Sequence, residues 1–82
     1  MTLFTESAFK HGYEESDFYE LLESGPLKVR SKRGLTGIFE LYGRNFAGDY
    51  VHVAYRKEGE RYTVFHMRRM TERERQMYRK HR

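Results

Sequence analysis

The chain has 82 residues and no cysteine, which leaves no room for a second hydrophobic core and excludes disulfides and thiolate metal sites. Its net charge of +4 is split: residues 1–27 carry six acids against one base, net −5, and residues 28–82 carry fifteen bases against six acids, net +9. An acidic lobe beside a basic one points to polyanion binding on one side, although a charged surface that merely solvates the chain has the same composition.

One domain over residues 1–82 is expected, with a net stability of roughly 4–12 kcal/mol. No apolar run approaches the ~20 residues that span a bilayer. The opening "MTLFTESAF" lacks the basic start and apolar stretch of a signal peptide, so a cytoplasmic protein with no membrane partner is the simplest reading.

The stretch "FTESAFKHG" has the signals of one or two helical turns, with Thr5 as N-cap and Gly12 just past the end. In "YEESDFYELLESGP", Phe18, Leu21 and Leu22 recur at i, i+3 and i+4 beside Tyr13, which predicts a helix with one apolar stripe. Glu14, Glu15 and Asp17 suit its N-terminus, and Gly25-Pro26 stops it.

After Pro26 the period changes to two. "LKVRSK" and "TGIFELYG" predict strands, and "RNFAGD" a loop. "YVHVAYR" places Val51, Val53 and Tyr55 on one face and His52, Ala54 and Arg56 on the other. "KEGE" predicts a tight hairpin turn around Glu58-Gly59, and "RYTVFHMR" returns with Tyr62, Val64 and His66 opposed to Thr63, Phe65 and Met67. Four consecutive strands without a crossover helix favour an antiparallel meander.

Thr71 opens the last element with a capping box, "TERE", in which Thr71 and Glu74 cap each other. Arg79, Lys80 and Arg82 suit its C-terminus, and only Met70, Met77 and Tyr78 offer it apolar surface. The fold class is therefore α+β: two N-terminal helices, a four-stranded, mainly antiparallel sheet and a C-terminal helix, with the helices on one face.

Four histidines, at 11, 52, 66 and 81, show no metal-ligand spacing, and no Gly-rich phosphate loop or nucleophile elbow is present, so no metal or other cofactor is expected. What remains suits cleavage of a phosphodiester, which needs a base, an acid and cations for the phosphorane. Arg68 and Arg69 stand where the last strand meets the last helix, and arginine's planar fork matches phosphate. Glu74 and Tyr78, at i and i+4, share a helix face, with Arg75 one position round. Each has a plainer explanation. Glu74 is the capping partner, Tyr78 a packing ring, Arg75 and Arg79 a solvated face, and His66 a partly buried strand residue. In "KHG", Lys10 and His11 place a cation and an imidazole on an acidic segment, although a last-turn histidine also satisfies the helix end.

Taken together, "KHG", an acidic helix and "LYGRNFAGDYVHVAYRKEGERYTVFHMRRMTERERQMY" resemble the BrnT-type toxins of bacterial type II toxin–antitoxin systems, from about Lys10 to Tyr78. The strongest stretch is Arg68, Arg69, Met70, Thr71, Glu74, Arg75 and Tyr78. The chain departs from that pattern in having no Trp, a shorter start, and His66-Met67 where small residues are common.

The resemblance implies a RelE-like fold and a metal-independent endoribonuclease toxin, with RNA as substrate and a cognate antitoxin as partner. Operator DNA would be reached only through the antitoxin complex. The candidate catalytic residues are Lys10, His11, Arg68, Glu74 and Tyr78, and the candidate RNA-binding residues are Arg44, Arg56, Arg69, Arg75 and Arg79. His11, Glu74 and Tyr78 all qualify as general base. Two other functions fit the same residues. A non-catalytic RNA- or DNA-binding module would use Tyr42, Arg44, Phe46, Tyr50, Tyr55 and Arg56. An interaction protein would dock a partner on the acidic helix Glu14–Glu23.

Overall fold

Thr2 and Phe4 are β-formers, and in the computed structural model, which describes residues 1–31 and 36–81, they form with Leu3 a strand, β1 (Thr2–Phe4). A single 3-10 turn follows at Glu6–Phe9, then α1 (Glu15–Glu23), β2 (Leu27–Arg30), β3 (Ile38–Arg44), β4 (Tyr50–Glu58), β5 (Arg61–Arg69) and α2 (Glu72–Lys80). Lys32, expected at the end of a strand, and Arg82, expected at a helix end, lie outside the described residues.

The architecture is α+β, with two α-helices and a five-stranded mixed sheet in the order β1-β5-β4-β3-β2. This corrects the sequence expectation at the N-terminus. Thr5 caps nothing with its side chain, which instead bonds the Ser7 hydroxyl at 2.8 Å. Its backbone N–H donates to Val64 O at 3.0 Å, and Tyr62 N–H to Met1 O at 2.8 Å, so β1 is held by parallel pairing with β5. A strand edge supplied by distant residues outcompetes a short helix with little to bury.

The other elements follow local rules. Phe18 and Leu21 bury the stripe of α1, while Leu22 stays exposed, and Glu14 and Asp17 form a capping box at its start. The β4–β5 turn falls on Gly59-Glu60, with Gly59 at φ 62°, a conformation that favours glycine.

Alternation along the strands decides which helix covers which face. Leu41, Val51, Val53, Tyr55, Val64 and Met67 pack with Phe18 and Leu21 of α1. Gly43 lies on this same face, where a Cβ would come within 3.0 Å of Leu21 Cγ and Ser24 Oγ, so glycine lets helix and strand close up. Contrary to the single core expected from the length, Tyr42 belongs to a second, smaller cluster with Met70 and Tyr78, against which Leu27, Val29, Tyr50 and Met77 pack. Because Leu41 and Tyr42 are consecutive, the two clusters occupy opposite faces, and so do α1 and α2. The helices do not share a face as expected. The apolar residues of α2 meet the one end of the second face that carries Tyr42 and Tyr50.

A β-bulge then re-aims β5. Ala54 pairs with His66 and Tyr55 with Val64, leaving Phe65 as an extra residue. Val64 and Met67 therefore both face α1, and His66 turns to the opposite face from Val64, contrary to simple alternation.

Candidate active site

The face that carries α2 also bears two rows of side chains set by strand pairing. Tyr42, His52 and Arg68 lie opposite one another across β3, β4 and β5, and Glu40, Ala54 and His66 form the next row. These rows floor a cleft of ≈ 390 Å³, lined by Ser31, Ile38, Glu40, His52, Ala54, Phe65, His66 and Arg68.

Arg68 is fixed at one wall. Nη1 donates to Glu74 Oε1 at 2.7 Å, Nη2 to Glu74 Oε2 at 2.8 Å, and Nη1 also to Arg69 O at 3.0 Å. A guanidinium has five N–H donors, so two remain for an incoming anion. Glu74 is the capping-box residue expected from "TERE": Thr71 N–H donates to its Oε1 at 2.9 Å, and Glu74 N–H to Thr71 Oγ1 at 3.2 Å. The bond from Arg68, with the Thr71 amide helping, holds its carboxyl down to about 2. One side chain therefore starts α2 and aims Arg68.

The imidazoles form a line beside it. His11, from the exposed loop after the 3-10 turn, stands 5.7 Å from His66, and His66 stands 5.6 Å from His52, both edge-on. His52 is 4% exposed and its Nε2 meets Glu40 Oε1 at 2.7 Å; a carboxylate can only accept, so Nε2 carries the proton. Its buried Nδ1 has no partner. The Tyr42 hydroxyl donates to the same Glu40 oxygen at 3.2 Å.

Burial lowers the pKa of His52 against the pull of Glu40. Burial, and then the positive charge available at His52, Arg68 and His11, lowers that of His66. Burial also raises Tyr42 well above an ordinary phenol, with Glu40 and Glu74 adding to the effect. At neutral pH the two strand imidazoles are thus neutral, and the less buried His66 has a lone pair able to accept a proton. Among the described residues, no three His, Asp or Glu side chains are placed to share a metal ion.

The fold now has a counterpart. The crystal structure of the ribonuclease toxin BrnT from Brucella abortus matches with a TM-score of 0.65 and 21% sequence identity, over 88% of this chain and 99% of that one. No protein-family model matches the chain, and no curated protein does. The resemblance seen in the residues is thus met by the fold. At this identity the likeness speaks for the fold alone, and function rests on the site.

Of the residues expected to act chemically, Arg68 and Glu74 are joined directly, and His11 reaches the cleft through His66. Lys10 is exposed beside His11. Tyr78 is elsewhere: at 1% exposure it packs with Tyr42 and Met70, its ring 6.0 Å from Tyr50.

The expected RNA-binding arginines separate as well. Arg44, Arg75 and Arg79 surround the Tyr50 ring at 4.8, 4.6 and 5.4 Å, and Arg69 lines a pocket with Tyr50 and Arg75. Arg56 is exposed on β4, two positions beyond Ala54.

His52 and Glu40 were absent from the expected set, His66 was read as a partly buried strand residue, and Tyr42 was expected only as a ring of a non-catalytic binding module. The sequence did carry a signal for three of them: polar residues interrupt the apolar strands at alternate positions, at Glu40 and Tyr42 and again at His52. Only the bulge brings His66 to the same face.

Proposed function

We propose that the cleft cleaves RNA by attack of a ribose 2′-hydroxyl on the adjacent phosphodiester, and that the chain is the toxin of a toxin–antitoxin pair. His66, neutral at working pH, takes the 2′ proton as the oxygen bonds to phosphorus. The two unspent donors of Arg68 hold the non-bridging oxygens as charge builds on the phosphorane. The bond from phosphorus to the 5′-oxygen breaks, and His11 at the cleft mouth returns a proton to that oxygen. A 2′,3′-cyclic phosphate and a free 5′-hydroxyl result. Positive charge comes from Arg68 and Lys10 and proton transfer from the imidazoles, so the reaction needs no metal.

Glu74 does not serve as the base in this scheme. Its oxygens are occupied and its carboxyl stays ionised to about pH 2, which makes it a positioning group for Arg68. Tyr78 serves by packing α2 on the sheet. The acidic α1 lies on the other side of the sheet from the cleft, which leaves it open to the antitoxin, and operator DNA is met only in that complex.

The observation that carries the reading is Arg68, aimed by a bidentate carboxylate with two donors to spare, in the strand row next to a neutral imidazole. The test incubates the pure protein and Arg68→Ala with RNA in EDTA. Wild type is expected to leave cyclic-phosphate ends, and the variant to lose about 10²–10³ in rate. Intact RNA with wild type, or equal cleavage by the variant, overturns the enzyme reading. Binding without cleavage would leave a nucleic-acid-binding module in its place. Expression is expected to arrest growth, and co-expression of the antitoxin to restore it.

A further inference from the structure

Tyr50 lies one row beyond Tyr42, His52 and Arg68 on the α2-bearing face, and its ring carries three guanidinium groups. Arg44 sits at 4.8 Å from β3, and Arg75 and Arg79 at 4.6 and 5.4 Å from α2. Arg69, at the end of β5, joins Gly48, Asp49, Tyr50 and Arg75 in lining a pocket of ≈ 200 Å³. Four like charges are gathered on a small domain at a cost in mutual repulsion. The acids beside them are Asp49 and Glu72, which leaves an excess of two positive charges.

The donors there are largely unspent. Arg44 gives Nε and Nη2 to Gly48 O at 3.4 and 3.3 Å, both long. Arg75 Nη1 makes only a 3.7 Å contact with Glu72, and its Nε is buried without a partner. Neither Arg69 nor Arg79 donates to a carboxylate among the described residues. This contrasts with Arg68, whose partners fix it. The phenol works as a platform: guanidiniums drawn to its ring by cation–π attraction keep N–H donors available to an oxyanion. Asp49, on the pocket wall, meets the Tyr13 hydroxyl only at a long 3.5 Å, and Arg79 over the Tyr50 ring completes the cage.

We propose that Tyr50 and its four arginines form a second phosphate-binding pocket, distinct from the cleft, which grips the RNA backbone at a phosphate other than the one cut. The inference rests on RNA being the ligand of the cleft and extends that reading to where the strand continues. Tyr50 and His52 are two residues apart on β4, about 7 Å at a strand's rise. That step is on the scale of a nucleotide or two. A strand lying along the second face would run from the imidazole row, past Arg68, to the Tyr50 cage.

The test compares binding of a single-stranded RNA 12-mer, by fluorescence anisotropy across a salt series, for the wild type and the double variant Arg69→Gln/Arg79→Gln. Both side chains are exposed, so the fold is expected to survive, with unchanged circular dichroism as the control. Every phosphate that the protein no longer neutralises reduces the log–log salt slope by about 0.7 for a single strand. The double variant is expected to lower the slope by that amount and to weaken binding about tenfold at low salt.

A second arm follows the Tyr50 ring and the Arg75 Nε–H by NMR. The RNA 12-mer is expected to shift both, and inorganic phosphate to shift them only at much higher concentration. An unchanged slope, or RNA that moves neither signal, overturns the proposal. So does inorganic phosphate binding as well as RNA, which would indicate a free-anion site. The outcome separates from that of the cleft. RNA bound with a cage-dependent slope but left uncut sinks the enzyme and keeps the pocket, whereas RNA cut with a wild-type slope in the double variant does the reverse.

Discussion

Glu74→Gln isolates the ion pair at the cleft wall, because the amide keeps the shape of the side chain and an oxygen for the Thr71 N–H. In the folded chain the Glu74 carboxyl sits at about 2, against an ordinary 4.5. That gap of about 2.5 units corresponds to an upper bound of roughly 3.4 kcal/mol. Both partners are partly solvated, at 29% and 19% side-chain exposure, and screening reduces the figure to about 1–2 kcal/mol.

The folded pKa is depressed, so this contribution is complete above about pH 4.5 and is lost as pH falls toward 2. Urea unfolding, followed by far-UV circular dichroism, should show the variant less stable by about 1–2 kcal/mol at pH 7. Its melting temperature should be about 5–15 °C lower. The gap between wild type and variant should shrink below half by pH 3 and nearly vanish at pH 2. Equal urea midpoints at pH 7, or a gap that persists at pH 2, would refute the account of Glu74 as the residue that anchors Arg68.

Three further outcomes are expected. The pH profile of kcat/KM for RNA cleavage should rise with a midpoint below 6.5, since burial lowers the His66 pKa, and His66→Ala should cost about 10²–10⁴ in rate and abolish that rise; a rise that survives in His66→Ala would give the base role to another group. Deleting Phe65 removes the bulge but keeps Val64 and Met67 facing α1, so cooperative thermal unfolding should persist, whereas deleting Val53, where no residue is spare, should abolish it. Gly43→Ala brings a methyl to 3.0 Å from Leu21 and Ser24 and should cost about 1–3 kcal/mol in urea unfolding; a neutral result would show that α1 can move off the sheet freely.

The wall of the candidate site was legible from local pattern, whereas its floor was not. The TxxE box predicted the Thr71–Glu74 cap, and the capping role then turned out to coincide with the positioning of Arg68, a link that no spacing rule supplies. Tyr78, at the right interval to share a helix face with Glu74, is buried in packing, because α2 has so little other apolar surface to dock with. His66 was misplaced by strict alternation, since one extra residue in β5 reverses the side of the strand on which it stands. The arginines grouped as RNA-binding divide: Arg44, Arg69, Arg75 and Arg79 meet around Tyr50, and Arg56 stands apart.

By itself the sequence determined what short-range physics sets: the stripe and stop of α1, the period-two strands, the turn near Gly59, the cap of α2, and the division of charge. Such features depend on residues within a few positions of one another. Only the tertiary structure decided that Thr2–Phe4 adds a parallel edge strand, that the two helices cover opposite faces, and that three imidazoles line up beside Arg68. Those outcomes hang on pairing and packing between residues up to sixty positions apart, where a single bulge or a free strand edge outweighs any local preference.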